Sequence, residues 1–143
     1  MSEFWKRTLT GAVFIAVVGG AILSGYISFF ALLLLICILC LIELANLFKG
    51  KDYAPFVPAI LISGVPVFLL LALFFMDILE AKVLYLIPPI MMLTYIIELY
   101  RKQGGGFRAA SMAVAGIVYI AVSLGYFVSL AHVNGEYKAI IPF

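Results

Sequence analysis

The sequence predicts an all-α, polytopic integral membrane protein that crosses the bilayer about five times with its N-terminus in the cytoplasm. Three observations lead there. Of the 143 residues, 66% are hydrophobic and only 11% charged, with a mean hydropathy of +1.25; a soluble domain of this length has too much surface for its volume to hide so much apolar side chain. The charges are sparse enough to leave long uninterrupted apolar runs, the first reaching from Thr8 to Ile42. Finally, seven of the nine Lys and Arg fall where a five-span topology puts cytoplasmic segments, a positive-inside pattern. The runs are apolar on both faces and too long for barrel strands, which alternate over about ten residues.

The run from Thr8 to Ile42 would make a helix of roughly 50 Å against a hydrocarbon core of about 30 Å, so it must fold back. Ser24-Gly25-Tyr26 supplies the turn. It separates span 1, about 8–25, from span 2, about 27–48. Span 1 follows the basic pair Lys6-Arg7 but is not a cleavable leader, because a second apolar segment follows at once with no polar mature chain. Span 3 covers about 55–76; Pro55 and Pro58 suit a first helical turn, where the missing N–H costs nothing, and Pro66 is expected to kink the middle. Span 4, about 83–100, carries Pro88-Pro89, so its first turns should be bent or broken. Span 5 covers about 109–131. The tail Ala139-Ile140-Ile141-Pro142-Phe143 reads like the beginning of another apolar segment, and the polypeptide is expected to continue. Residues 1–143 thus form a single membrane region.

Lys6 and Arg7, Lys49 and Lys51, and Arg101, Lys102 and Arg108 lie on the side assigned to the cytoplasm, leaving Lys82 and Lys138 opposite. Within the spans, Glu43 and Glu98 are the informative charges. An intramembrane carboxylate is costly and marks a functional candidate; the competing reading is hydration of Glu43 near the interface and pairing of Glu98 with Arg101 or Lys102 one turn on. The string Arg101-Lys102-Gln103-Gly104-Gly105-Gly106-Phe107-Arg108 combines cations with free backbone N–H groups that suit a phosphate, although it lacks the Gly-Lys-Ser/Thr ending of a P-loop and also reads as a flexible turn. Ala12, Ala16, Gly20 and Ser24 in span 1, and Ala121, Gly125 and Ser129 in span 5, recur every four residues, a spacing that lets helices approach closely within the chain or in a homodimer.

Other features carry less. Cys37-Ile38-Leu39-Cys40 lies deep in span 2 without the further ligands zinc needs. His132, Asp77 and Glu80 sit at outer span ends or in the outer loop. Trp5, Tyr26, Tyr53 and Tyr100 read as interface anchors. There is no nucleophile–His–acid constellation, no catalytic residue and no metal site to name, and a net charge of +2 gives no nucleic-acid signal.

Three strings are suggestive together: Lys6-Arg7-Thr8-Leu9-Thr10-Gly11-Ala12-Val13-Phe14 before and into span 1; Leu41-Ile42-Glu43-Leu44-Ala45 with Leu47-Phe48-Lys49-Gly50 closing span 2; and Gly116-Ile117-Val118-Tyr119-Ile120-Ala121 in span 5. In order and spacing they resemble the N-terminal half of bacterial phosphatidate cytidylyltransferases, the CDP-diacylglycerol synthases. The resemblance implies the reaction of such an enzyme: CTP and phosphatidate give CDP-diacylglycerol and pyrophosphate, in phospholipid biosynthesis at the bacterial inner (plasma) membrane. It implies Mg2+ as cofactor, and the lipid bilayer, phosphatidate and CTP as partners. The family's catalytic signature belongs to its C-terminal half: a Lys-Asp element, His-Gly-Gly, Asp-Arg and acidic residues in later helices. That block is absent here; Lys51-Asp52 repeats only a dipeptide and continues as Tyr53-Ala54-Pro55. The chain is therefore expected to be inactive alone, with Lys6, Arg7, Arg101, Lys102 and Arg108 as candidate contacts to a lipid head group. The alternative is a stand-alone small membrane protein, a channel or transporter subunit or a scaffold, suggested by the small-residue faces and the proline-broken span 4.

Overall fold

A computed structural model of the chain describes residues 3–52, 54–101, 106–133 and 136–137. The helices follow one another as antiparallel crossings. Helix α1 spans Glu3–Leu23 and α2 spans Tyr26–Leu47, with the reversal at Gly25, whose φ of 107° and ψ of 178° lie in a region essentially reserved for glycine. Helix α3 spans Val57–Phe75 and runs unbroken through Pro66. A six-residue 3-10 turn, Ala81–Leu86, leads into α4, Ile87–Tyr100. Helix α5, Phe107–Ile117, continues through a π turn at Val118–Val122 into α6, Ser123–Ala131. A two-residue antiparallel pair, β1 (His132–Val133) and β2 (Glu136–Tyr137), closes the described chain.

Among the described residues, four stretches are long and apolar enough to cross a membrane: Tyr26–Leu47, Val57–Phe75, Ala81–Tyr100 and Phe107–Ser129. A shorter apolar helical stretch, Gly11–Ala21, lies within α1. The chain is a multi-pass helical membrane protein. The first turns of span 4 are wound as the 3-10 segment Ala81–Leu86, and Pro88 and Pro89 occupy the opening positions of α4 proper, where a ring on nitrogen removes no helical hydrogen bond. Within the expected span 5, about 109–131, the helix carries the π turn. The tail beyond residue 137 lies outside the described residues.

Helix α3 is the hub, touching α2, α4, α5 and α6. Every fourth residue of α2 faces it (Phe29, Leu33, Cys37, Leu41 and Ala45 are all buried), and Ile60, Val67, Phe68 and Leu71 of α3 meet them. Phe30 stacks on Phe68 with centroids 6.0 Å apart. Lipid tails are as apolar as these side chains, so the contacts gain from close fit rather than from leaving water. Small residues supply the fit. A Cβ added at Gly64 would sit 2.7 Å from Leu41 Cδ1, and one at Gly125 would sit 2.8 Å from Leu71 Cβ. The two small-residue stripes thus differ: Ala121 and Gly125 are buried, whereas Ala12, Ala16 and Gly20 are exposed, α1 packing against α2 alone among the larger helix contacts.

Candidate functional site

The polar chemistry inside the bundle gathers where the segment between α2 and α3 meets the C-terminal end of α4. Helix α3 begins after Phe56, whose backbone is extended, and Pro58 in its first turn has no N–H to satisfy. The Phe56 N–H is left needing an acceptor, as helix-start amides are. Glu98, 42 residues away on α4, supplies it: its Oε1 accepts from the Phe56 N–H at 2.5 Å. A carboxylate here also complements the partial positive charge of the α3 N-terminus.

Arg101 secures the same segment from the next turn. It is the residue at which α4 ends, with extended backbone. Its Nη2 donates to the Ala54 carbonyl at 2.6 Å, its Nη1 lies 3.8 Å from Glu98 Oε2, and its guanidinium sits over the Phe56 ring, 5.5 Å from the centroid. Glu98 is wholly buried, while about a quarter of the Arg101 side chain remains accessible (23%). The ion pair is longer than a hydrogen bond, and within the described structure Glu98 Oε2 and Arg101 Nε have no hydrogen-bond partner. Beside the knot lies a hollow of about 720 Å³, walled by Pro55, Phe56 and Pro58 on one side and Ile97, Tyr100 and Arg101 on the other.

The other candidates are dispersed. Glu43 is exposed on α2, and Arg108 is exposed on the first turn of α5. Lys6 and Arg7 lie on helical backbone in α1; Lys102, Tyr53 and the glycines 104–105 lie outside the described residues. Cys37 is buried and Cys40 half-buried, both as free thiols. The pairing of Glu98 with Arg101 was foreseeable from their spacing; the roles of Ala54 and Phe56 were not. An acceptor for a helix-start amide normally comes from the adjoining residues, and nothing local to Phe56 announces one from another helix.

The Mg2+ that the resemblance implies finds no fitting donor set. Among the described residues, no group of three or more His, Cys, Asp or Glu is close enough to hold a metal ion. Glu98, the one fully buried carboxylate among the described residues, is already engaged by an amide and a guanidinium.

The profile of the cytidylyltransferase family aligns with residues 5–143. No curated protein matches the chain, and no solved structure matches it. The alignment runs through every helix described above, including the α2–α3 segment, Glu98 and Arg101. By that match the chain belongs to the cytidylyltransferase family, the family of the CDP-diacylglycerol synthases.

Proposed function

We propose that this chain is the membrane portion of a phosphatidate cytidylyltransferase. In that reaction a phosphate oxygen of phosphatidate bonds to the α-phosphorus of CTP, the bond from that phosphorus to the bridging oxygen breaks, and pyrophosphate leaves. The observation that carries the reading is the family match across residues 5–143, in a chain whose helices suit the bilayer that holds the lipid substrate. The chain's own contribution is to hold the lipid and to present cations to its head group from the cytoplasmic side of a bacterial inner membrane. Lys6, Arg7, Lys102 and Arg108 serve as head-group contacts. Arg101, whose guanidinium is turned onto Ala54 and Glu98, acts chiefly by fixing the segment that walls the hollow. Cytidylyl transfer itself calls on metal-binding carboxylates, and among the described residues no group of three or more His, Cys, Asp or Glu is close enough to hold a metal ion; on this reading the 143-residue chain by itself is expected not to turn over CTP.

The test has two arms. The protein bearing this sequence, captured from its own membranes with an antibody to residues 49–54, is given labelled CTP, phosphatidate and Mg2+; label should enter the lipid phase only when phosphatidate is present. The 143-residue chain reconstituted alone should incorporate none. Absence of phosphatidate-dependent incorporation in the first arm overturns the transferase reading. Incorporation in the second overturns the division of labour.

A further inference from the structure

The joint between α3 and α4 is built at a cost that a local cap would avoid. Serving the Phe56 N–H takes only a glutamate three residues on, reaching back as in an ordinary helix start. Position 59 holds a buried alanine, and the acceptor comes instead from Glu98, 42 residues away. That carboxylate is wholly buried, and within the described structure neither its Oε2 nor the Nε of Arg101 has a hydrogen-bond partner. A buried ion pair with unanswered atoms is weak support for a fold, and an ionisable group within a crossing points to function. What the pair does hold is position. Glu98 Oε1 and Arg101 Nη2, one turn apart on α4, seize the chain at Phe56 and at Ala54.

A ladder of backbone turns carries that constraint back towards α2. The Ala54 N–H donates to the Lys51 carbonyl at 3.0 Å, the Lys51 N–H to the Phe48 carbonyl at 3.0 Å, and the Lys49 N–H to the Asn46 carbonyl at 3.1 Å. Gly50, at φ 87°, bends the chain within the ladder, in the left-handed region that glycine enters freely. Lys49 and Lys51 flank the bend. Both are exposed, and among the described residues no ion pair engages either. Asp52 follows, also exposed, so cations outnumber the carboxylate. The bend lies outside both helices, on the side that the charge distribution assigns to the cytoplasm. It therefore faces the water from which CTP, unlike the lipid, arrives, and exposed cations there attract a soluble polyanion.

We infer that Glu98 and Arg101 are positioning residues for the nucleotide: by clamping Phe56 and Ala54 they hold the bend at Gly50 so that Lys51 meets the phosphates of CTP. The inference rests on the transferase reading, and its test separates the two. The protein captured from its membranes is assayed for phosphatidate-dependent incorporation over a range of CTP concentrations. Lys51→Gln should raise the KM for CTP about ten-fold, the loss of one hydrogen bond to a charged group, with little change in kcat. Glu98→Ala should raise it similarly, and Glu98→Gln, which keeps an oxygen for Phe56, should recover most of the loss. Glu98→Ala combined with Lys51→Gln should be no worse than either alone, because Glu98 acts through Lys51. A purely structural Glu98 would instead lower the active fraction, and hence kcat, and its effect would multiply with that of Lys51. A nitroxide on Asp52→Cys, with the native cysteines replaced, reads the clamp without turnover. Its spectrum should become more mobile in Glu98→Ala and tighten again in Glu98→Gln. Should Glu98→Ala fail to fold, Arg101→Gln, which spares the Phe56 bond and removes the guanidinium from Ala54, replaces it in both measurements. An unchanged KM in Lys51→Gln, multiplying effects in the double variant or an unmoved nitroxide overturns the inference and leaves the transferase reading standing. A wild-type protein without phosphatidate-dependent incorporation overturns both.

Discussion

Glu98 is the residue whose replacement discriminates best among the forces at the α3–α4 junction. Glu98→Ala removes the acceptor of the Phe56 N–H and the counter-charge of Arg101. A hydrogen bond to an ionised acceptor contributes about 1.5–3 kcal/mol. The 3.8 Å ion pair adds no more than about 1 kcal/mol, because the Arg101 side chain retains 23% of its exposure and can hydrate when abandoned. The expected loss is about 2–4 kcal/mol, or roughly a 30- to 1,000-fold rise in the unfolded-to-folded ratio. Glu98→Gln keeps a carbonyl oxygen for Phe56 and loses only the charge, so its cost should be about 1 kcal/mol. Reversible unfolding in mixed micelles of dodecylmaltoside and dodecyl sulfate, followed by helical circular dichroism, measures both. If Glu98→Gln proves as harmful as Glu98→Ala, the charge and not the amide contact dominates, and the capping argument is wrong. If neither variant shifts the transition, the junction contributes nothing to stability.

Three further outcomes are expected. Gly125→Ala should cost about 1–2 kcal/mol net, overpacking against Leu71 Cβ outweighing the gain in helix propensity, whereas Gly116→Ala should be near neutral because it meets only the tip of Leu44, which can swing aside; the same unfolding titration would refute this by ranking them the other way. Gly25→Ala should cost about 1–3 kcal/mol through backbone strain at φ 107°, with nothing within 4 Å of the new methyl group, and an unchanged transition would remove the argument for a glycine-specific turn. In a background with Cys37 and Cys40 replaced by Ala, a thiol reagent that cannot cross membranes should label Glu80→Cys in intact cells and Lys51→Cys only after permeabilisation; the reverse pattern would invert the topology.

Much of the fold was legible because the bilayer is a demanding solvent. An apolar run too long for one crossing had to turn, and Gly25 was the residue able to do it. Pro88-Pro89 pointed to irregular first turns in the fourth crossing, and those turns are the 3-10 segment just before the pair. The site was less legible. Glu98 and Arg101 stood out as charges in apolar surroundings, but their targets are a backbone amide and a backbone carbonyl, groups every residue carries. Sequence spacing likewise could not tell the packed stripe of Ala121 and Gly125 from the open one of Ala12 and Ala16, because the neighbours of a helix are a property of topology.

The π turn at Val118–Val122 has a consequence for chain length. Ala113, Ile117, Ala121 and Gly125 are all buried and fall four apart. A regular helix advances about 100° per residue, so strict steps of four would drift around the axis by about 120° over those three steps. The wider winding of the π turn cancels part of that drift and keeps the four residues aimed at one neighbour. The segment therefore behaves as a phase corrector between two helical halves. Deleting one residue inside it would let the segment rewind as regular helix with both halves still in phase, whereas a second deletion would turn everything after it by about 100°, carrying Gly125 off Leu71 while the hydropathy of the crossing hardly changed. Two chains of almost equal apolar length could thus differ in whether the last helix meshes with the third.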